Sequence, residues 1–241
     1  MSTSRMFLAR RVMSLIVLVA GALQAEGAVA QQPSGGDTRR SERVLLDRVV
    51  VRFSAPEGAG RQRPYFIYER ELAFEARLVA LTDSAFAHRR EPFRRHHLQA
   101  ALERRIAETL LAALPIEPPL SDTVIDEQIE MAKTMVWEAC GGQEQVTAAA
   151  KAEGISSLEQ RALYRRRALA SLYLHQMVAP MLVPSQLELR RAHRAGQGPL
   201  SDQTFDVAEP VLRRWYVERS LRAAVTTYYQ NARSRLSISY L

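Results

Sequence analysis

Two strand-like segments sit at opposite ends of the chain, and almost everything between them has helical periodicity. Residues 44–53 (VLLDRVVVRF) are rich in β-branched side chains, with Val49, Val51 and Phe53 alternating with Val50 and Arg52. That alternation suits a half-buried strand. SAPEGAGRQRP (54–64) carries Gly, Pro and charge, the chemistry of a loop. Tyr65-Phe66-Ile67-Tyr68 reads as a second strand running straight into a helix, which makes a hairpin with a long loop. The chain closes on Leu236-Ser237-Ile238-Ser239-Tyr240-Leu241, again alternating. A lone two-stranded hairpin is marginal in water, and a third strand relieves that. The last strand has no partner in the helical stretch, so it must return to the first hairpin. The expectation is a mainly α domain over 43–241, closed by a small antiparallel sheet made from the N-terminal hairpin and the C-terminal strand.

The helical stretch divides at its caps and breakers. Helix one starts at Glu69 and ends near Leu81. Helix two runs from about Pro92 to Leu114, with Leu98, Leu102, Ile106, Leu110 and Ala113 as its apolar stripe, stopped by Pro115, Pro118 and Pro119. Helix three opens at Ser121 or Asp122, where Asp122, Asp126 and Glu127 suit the positive end of the helix dipole, and closes at Gly141-Gly142. A short helix covers 143–153, closed by Gly154. Ser157 with Gln160 forms a capping box for a long helix over about 158–179. Pro180 and Pro184 bracket a break. Another short helix spans 185–194, AGQGPLSDQ (195–203) is linker-like, and a last long helix covers about 206–232.

Ahead of this lies an address. Arg5, Arg10 and Arg11 precede the apolar run Val12 to Leu23, and Ala28-Val29-Ala30 has the small-x-small pattern of a cleavage site. Residues 1–30 therefore read as a secretory signal peptide. The apolar run is well short of the roughly 20 residues that a membrane span needs. Residues 31–42 (QQPSGGDTRRSE) are polar and turn-rich and read as a disordered leader.

Composition narrows the chemistry. A single Cys removes any intramolecular disulfide or multi-thiolate zinc site. The net charge is +7, and every basic residue except Lys133 and Lys151 is arginine. Such charge suits anionic surfaces, but export argues against nucleic acid as partner. Glu138-Ala139-Cys140-Gly141-Gly142 approaches a caspase-type pattern, yet Cys140 ends an amphipathic helix and reads as a small apolar residue there. His88, His96 and His97 lie among Arg89, Arg90, Arg94 and Arg95, without metal-ligand spacing, and read as a solvated basic segment. With Arg165-Arg166-Arg167 and Arg190-Arg191, that segment offers phosphate or an acidic surface a place to bind. Glu71 and Glu75 share a face of helix one and read as an exposed ion-pair face with Arg70 and Arg77. No G-x-S-x-G, P-loop or G-x-G-x-x-G occurs. No catalytic residue, metal site or cofactor is expected.

The order of elements resembles the peptide-binding N-terminal domain of SurA-type periplasmic chaperones, related in fold to the substrate-binding domain of trigger factor. LLDRVVVRF and YFIYERELAFEARLVAL are similar to that family's opening strand, second strand and first helix. ALERRIAETLLAALP, LSDTVIDEQIEMAK and AKAEGISSLEQRALYRRRALASLYLHQMV follow as its next helices. FDVAEPVLRRWYVERSLRAAVTTYYQNARSRLSISYL is similar to its returning helix and strand. Family members usually carry one or two parvulin-type prolyl isomerase domains before the returning helix. Here about ten residues (195–204) fill that place, whereas such a domain needs on the order of 90. The hairpin loop 54–64 is also longer than the family's usual turn.

The resemblance implies a periplasmic, ATP-independent holdase for unfolded outer-membrane-protein segments, without isomerase activity and without a cofactor. It also implies contact with the membrane surface or the outer-membrane assembly machinery. Two other readings stand beside it: an isomerase-family protein with residual or no activity, and a helical scaffold subunit of an envelope complex. Candidate peptide-binding residues are Met131 and Met135, four apart on helix three, Met177 and Met181, four apart at the end of the long helix, and Trp215 and Tyr216 on the final helix. Methionine adapts to varied apolar partners, and aromatics line grooves for extended chains. Ordinary core packing is the competing use of the same spacing.

Overall fold

The computed structural model of the chain describes residues 47–54, 64–86 and 91–241. The expected signal peptide 1–30, the leader 31–42, and His88, Arg89 and Arg90 lie outside the described residues.

Strands β1 (Val49–Ser54), β2 (Tyr65–Tyr68) and β3 (Ser237–Tyr240) form one antiparallel sheet in the order β2-β1-β3. The N-terminal hairpin and the C-terminal strand are thus joined, as the alternation requires. Val51 lies opposite Ile67 on one side and Tyr240 on the other; Phe53 lies opposite Tyr65 and Ile238. Val51, Phe53 and Ile67 face inward and are buried, whereas Arg52 and Phe66 face out. The register slips between Val49 and Val51, so β1 has a bulge where the chain enters the sheet. Within the expected run 44–53, Asp47 and Arg48 precede the strand, and residues 44–46 lie outside the described residues.

Among the described residues there are seven α-helices: α1 (Glu69–Leu81), α2 (Arg95–Ala112), α3 (Asp122–Ala139), α4 (Gln143–Ala152), α5 (Ser157–Tyr173), α6 (Gln186–Arg194) and α7 (Phe205–Arg233). Helix accounts for 68% of the described structure, so the fold is mainly α with a small sheet. α1, α3, α4 and α5 share one apolar cluster around Phe74, Ile129, Val136 and Leu163. A second lies beneath the sheet, where Val51 and Phe53 meet Ile106 and Leu110 of α2 and Tyr229 of α7. A third joins Leu111, Ala170, Leu174, Leu221 and Val225. Only the C-terminal half of α7 contributes to these last two. Its first turns pack on α6 instead, through Leu189 and Ala192 against a helix that buries Ala208 and Leu212. At 1.5 Å per residue the 29-residue α7 is about 43 Å long, enough to link that two-helix arm to the sheet.

Three local readings change. The capping box of α5 belongs to Ser156 and Glu159: the Ser156 hydroxyl accepts from the Glu159 amide at 3.3 Å, and Glu159 Oε2 accepts from the Ser156 amide at 2.7 Å. A Glu carboxylate is the better acceptor for that amide, so the frame shifts one residue. The long helix loses α geometry at Leu174: a π-turn (Leu174–Val178) and a 3-10 turn (Ala179–Leu182) follow. Pro180 lacks an amide hydrogen and its ring collides with the carbonyl four residues back, which ends regular hydrogen bonding there. α2 starts at Arg95, three residues after Pro92, because His97 caps it (below).

Candidate functional site

The expected exposed face of Glu71 and Glu75 is corrected. Glu75 is 1% exposed and sits inside an ionic hub built from α1, α2 and α5. Its Oε1 accepts from Arg105 at 2.8 Å and from Arg166 at 2.7 Å. Arg105 also donates to Glu71 at 2.6 Å. Glu108, equally buried, pairs with Arg166 at 3.3 Å and Arg167 at 3.2 Å. Arg104 is buried at the same place. Arg166 and Arg167 therefore leave the set of surface cations offered to phosphate; Arg165, Arg190 and Arg191 stay exposed. The flanking residues Arg70 and Arg77 pair elsewhere, Arg70 with Asp47 and Glu159, and Arg77 with Glu153.

Burial alone pushes the Glu75 carboxyl up, but Arg166, Arg105 and Arg167 around it outweigh that and hold it below the usual carboxylate range. Burial, with Arg167 nearby, lowers the Arg104 guanidinium to about 10. Glu75 and Glu108 are each 1% exposed, so their ion pairs tie α1, α2 and α5 together in the interior.

The segment 96–97 is corrected too. His97 is 1% exposed, not solvated. Its Nδ1 accepts from the Arg94 amide at 3.0 Å and so caps α2, while Nε2 lies 3.2 Å from Asp83 Oδ2. His96 Nε2 lies 3.9 Å from the same oxygen, so the two imidazoles converge on one carboxylate despite their adjacency. Asp83, His96 and His97 bring three ligand atoms within 4.8 Å of one another. The capping contact decides against a cation here: with Nδ1 accepting, the ring hydrogen must sit on Nε2, the atom a metal would need.

Beside this cluster, a cleft of about 700 Å³ is lined by Arg77, Leu81, Phe86, Pro92, Cys140 and Gln145, among others. Cys140 is buried at its floor, its thiol directed to the Leu78 carbonyl at 3.6 Å and pushed up by burial. It is a packed thiol rather than a nucleophile.

The six candidate peptide-binding residues fall in different environments. Met135 is 6% exposed in the α1–α3–α4–α5 core, with Met131 half-buried against it. Burial removes Met135 as a contact for a client. Met177 is half-buried in the π-turn, and Met181, one turn on, is 74% exposed. Trp215 and Tyr216 are half-buried on α7. Trp215 lies under the 195–203 loop: a Cβ on Gly198 would come within 3.0 Å of its ring.

Met181 does have apolar company that periodicity alone does not single out. Val183 is 57% exposed and Leu187 is 54% exposed. These three residues lie along a seven-residue stretch at the base of α6. The Pro184 carbonyl in its middle accepts from Arg213 at 3.3 Å, which fastens the stretch to α7. The signal in the sequence was the spacing of Leu187 from Leu189. Two residues on a helix are about 200° apart, so with Leu189 and Ala192 inward, Leu187 must face out. The α6–α7 arm is further joined at its other end, where Arg190 lies 4.6 Å over the Phe205 ring and His193 meets the Gln203 carbonyl at 3.0 Å.

No described helix is long and apolar enough to cross a membrane. Comparison of the chain with protein-family models, curated proteins and solved structures found no match.

Proposed function

We propose that this protein is an ATP-independent holdase that shields unfolded, outer-membrane-type polypeptide segments in the periplasm. The observation that carries the proposal is the arm formed by α6 and the first half of α7. Its base, the stretch 181–187, carries three exposed apolar residues, Met181, Val183 and Leu187. Scattered exposed apolar residues are ordinary; three within seven residues, on a segment hydrogen-bonded to α7, are offered as a contact surface for a client. Burying apolar client surface there gains about 25 cal/mol per Å². Immobilising the client offsets part of that gain, which gives weak, broad and reversible binding. A holdase of this kind needs no cofactor and no catalytic residue. The signal-peptide pattern in residues 1–30 supports export, and the ten residues at 195–204 are too few for an isomerase domain.

The test is light scattering during dilution of a denatured outer-membrane protein. Suppressed aggregation at about equimolar protein, independent of nucleotide, is the expected result. Unchanged scattering at several-fold excess removes the proposal.

A further inference from the structure

We infer that His97 is a proton-operated latch, which fixes the Asp83–Phe86 turn to the start of α2 while its ring is neutral and releases it when the ring is protonated. A neutral imidazole has one hydrogen and one lone pair. Here both are committed. Nδ1 takes the Arg94 amide at 3.0 Å, so Nε2 carries the hydrogen and directs it to Asp83 Oδ2 at 3.2 Å. The ring is 1% exposed, and the Phe86 ring abuts it edge-on, centroids 4.7 Å apart. One side chain thus holds the first turn of α2 on one nitrogen and the preceding turn on the other.

Protonation adds a hydrogen to Nδ1. Two donors, the new N–H and the Arg94 amide, then face each other across 3.0 Å. The cap cannot survive that arrangement, and a part-buried amide loses its acceptor. The groups facing the ring set the pH at which this occurs. Burial disfavours the cation most strongly. Asp83 opposes burial through its hydrogen bond and charge, whereas His96, its ring centroid 3.9 Å away, and Arg94 add repulsion. The balance places the ring's titration below its usual 6.5. The latch is therefore closed at neutral pH and opens only as pH falls below 6.5. The released turn carries Phe86, which lines the cleft beside Cys140, so opening the latch unseats one wall of that cleft.

The experiment is NMR of the full chain between about pH 7.5 and 5, following the His97 ring and backbone amide exchange together. Exchange of the Arg94 and Phe86 amides, corrected for intrinsic rates, should rise by up to about tenfold per pH unit as pH falls from 6.5 to the ring's lowered folded value, and level off below it. The Ile129 amide in α3 should not follow. His97→Gln, whose carboxamide oxygen accepts from Arg94 without titrating, should abolish the rise. Flat exchange in the wild type, or an equal rise in His97→Gln, overturns the latch. Where His97→Gln does not fold, the wild type decides: a ring titrating at or above 6.5, or uncoupled from the Arg94 amide, overturns it. Zinc chloride shifting the His97 ring at neutral pH also overturns it, because the metal would occupy the atom the latch requires protonated.

Discussion

Arg166 on α5 donates to Glu75 on α1 at 2.7 Å, across 91 residues of sequence. With the 2.8 Å bond from Arg105 on α2, that contact makes a single carboxylate the meeting point of three helices. Taking such a group out of water is expensive, and the surrounding guanidiniums compensate only while the carboxylate is present. Glu75→Ala leaves Arg105 and Arg166 buried with too little negative charge. A loss of about 3–5 kcal/mol is expected in urea unfolding. A loss below about 1 kcal/mol would show that the hub contributes little.

The same carboxylate predicts acid sensitivity. Its folded-state titration lies below the ordinary 4.5, so the unfolded chain binds the proton more readily. The stabilisation is present in full above 4.5 and fades as pH falls through the lower, folded value. Midpoints of urea unfolding, measured from neutral pH downward, should therefore drop most steeply in that acid range. Glu75→Gln should flatten the drop. His97 shares the sign but acts higher, between 6.5 and its lowered folded value.

The two methionine pairs should respond in opposite ways. Met135→Ala opens a void in the α1–α3–α4–α5 core and should cost about 2–5 kcal/mol. Met181→Glu with Leu187→Glu alters only exposed positions and should move stability by no more than about 0.5 kcal/mol each. Aggregation suppression should fall with the arm substitutions despite unchanged unfolding curves.

Gly198 should not tolerate a side chain. Its φ is +88°, and a Cβ would lie 2.7 Å from Leu212 Cδ1. Gly198→Ala combines left-handed strain with a collision in the arm and should cost roughly 1–3 kcal/mol in thermal unfolding. It should also loosen the loop over Trp215.

What the sequence displays depends on the range of the force involved. Alternation in Val49–Phe53 and Ser237–Tyr240, and caps such as Ser185 with Glu188, are short-range signals, and strand pairing and helix order follow from them. The hub was hidden because charged residues at helical spacing look alike whether solvated or buried. Glu75 is buried by Arg166, 91 residues away, and nothing near Glu75 announces that partner. His97 was hidden by its arginine-rich neighbours, although a His three residues after Arg94 is placed to cap a helix. The patch at Met181, Val183 and Leu187 was half visible: Met181 by type, Leu187 only once Leu189 and Ala192 are known to face inward.

The most direct measurement is photo-crosslinking from a residue placed at position 181 to a denatured outer-membrane protein, with position 158 as the control. Leu158 is 76% exposed but stands in the polar first turn of α5, so exposure is matched and apolar company is not. Strong adducts from 181, competed by excess unfolded client and weak or absent from 158, are the predicted result. Equal labelling from both positions, or none from 181, contradicts client holding by the α6–α7 arm.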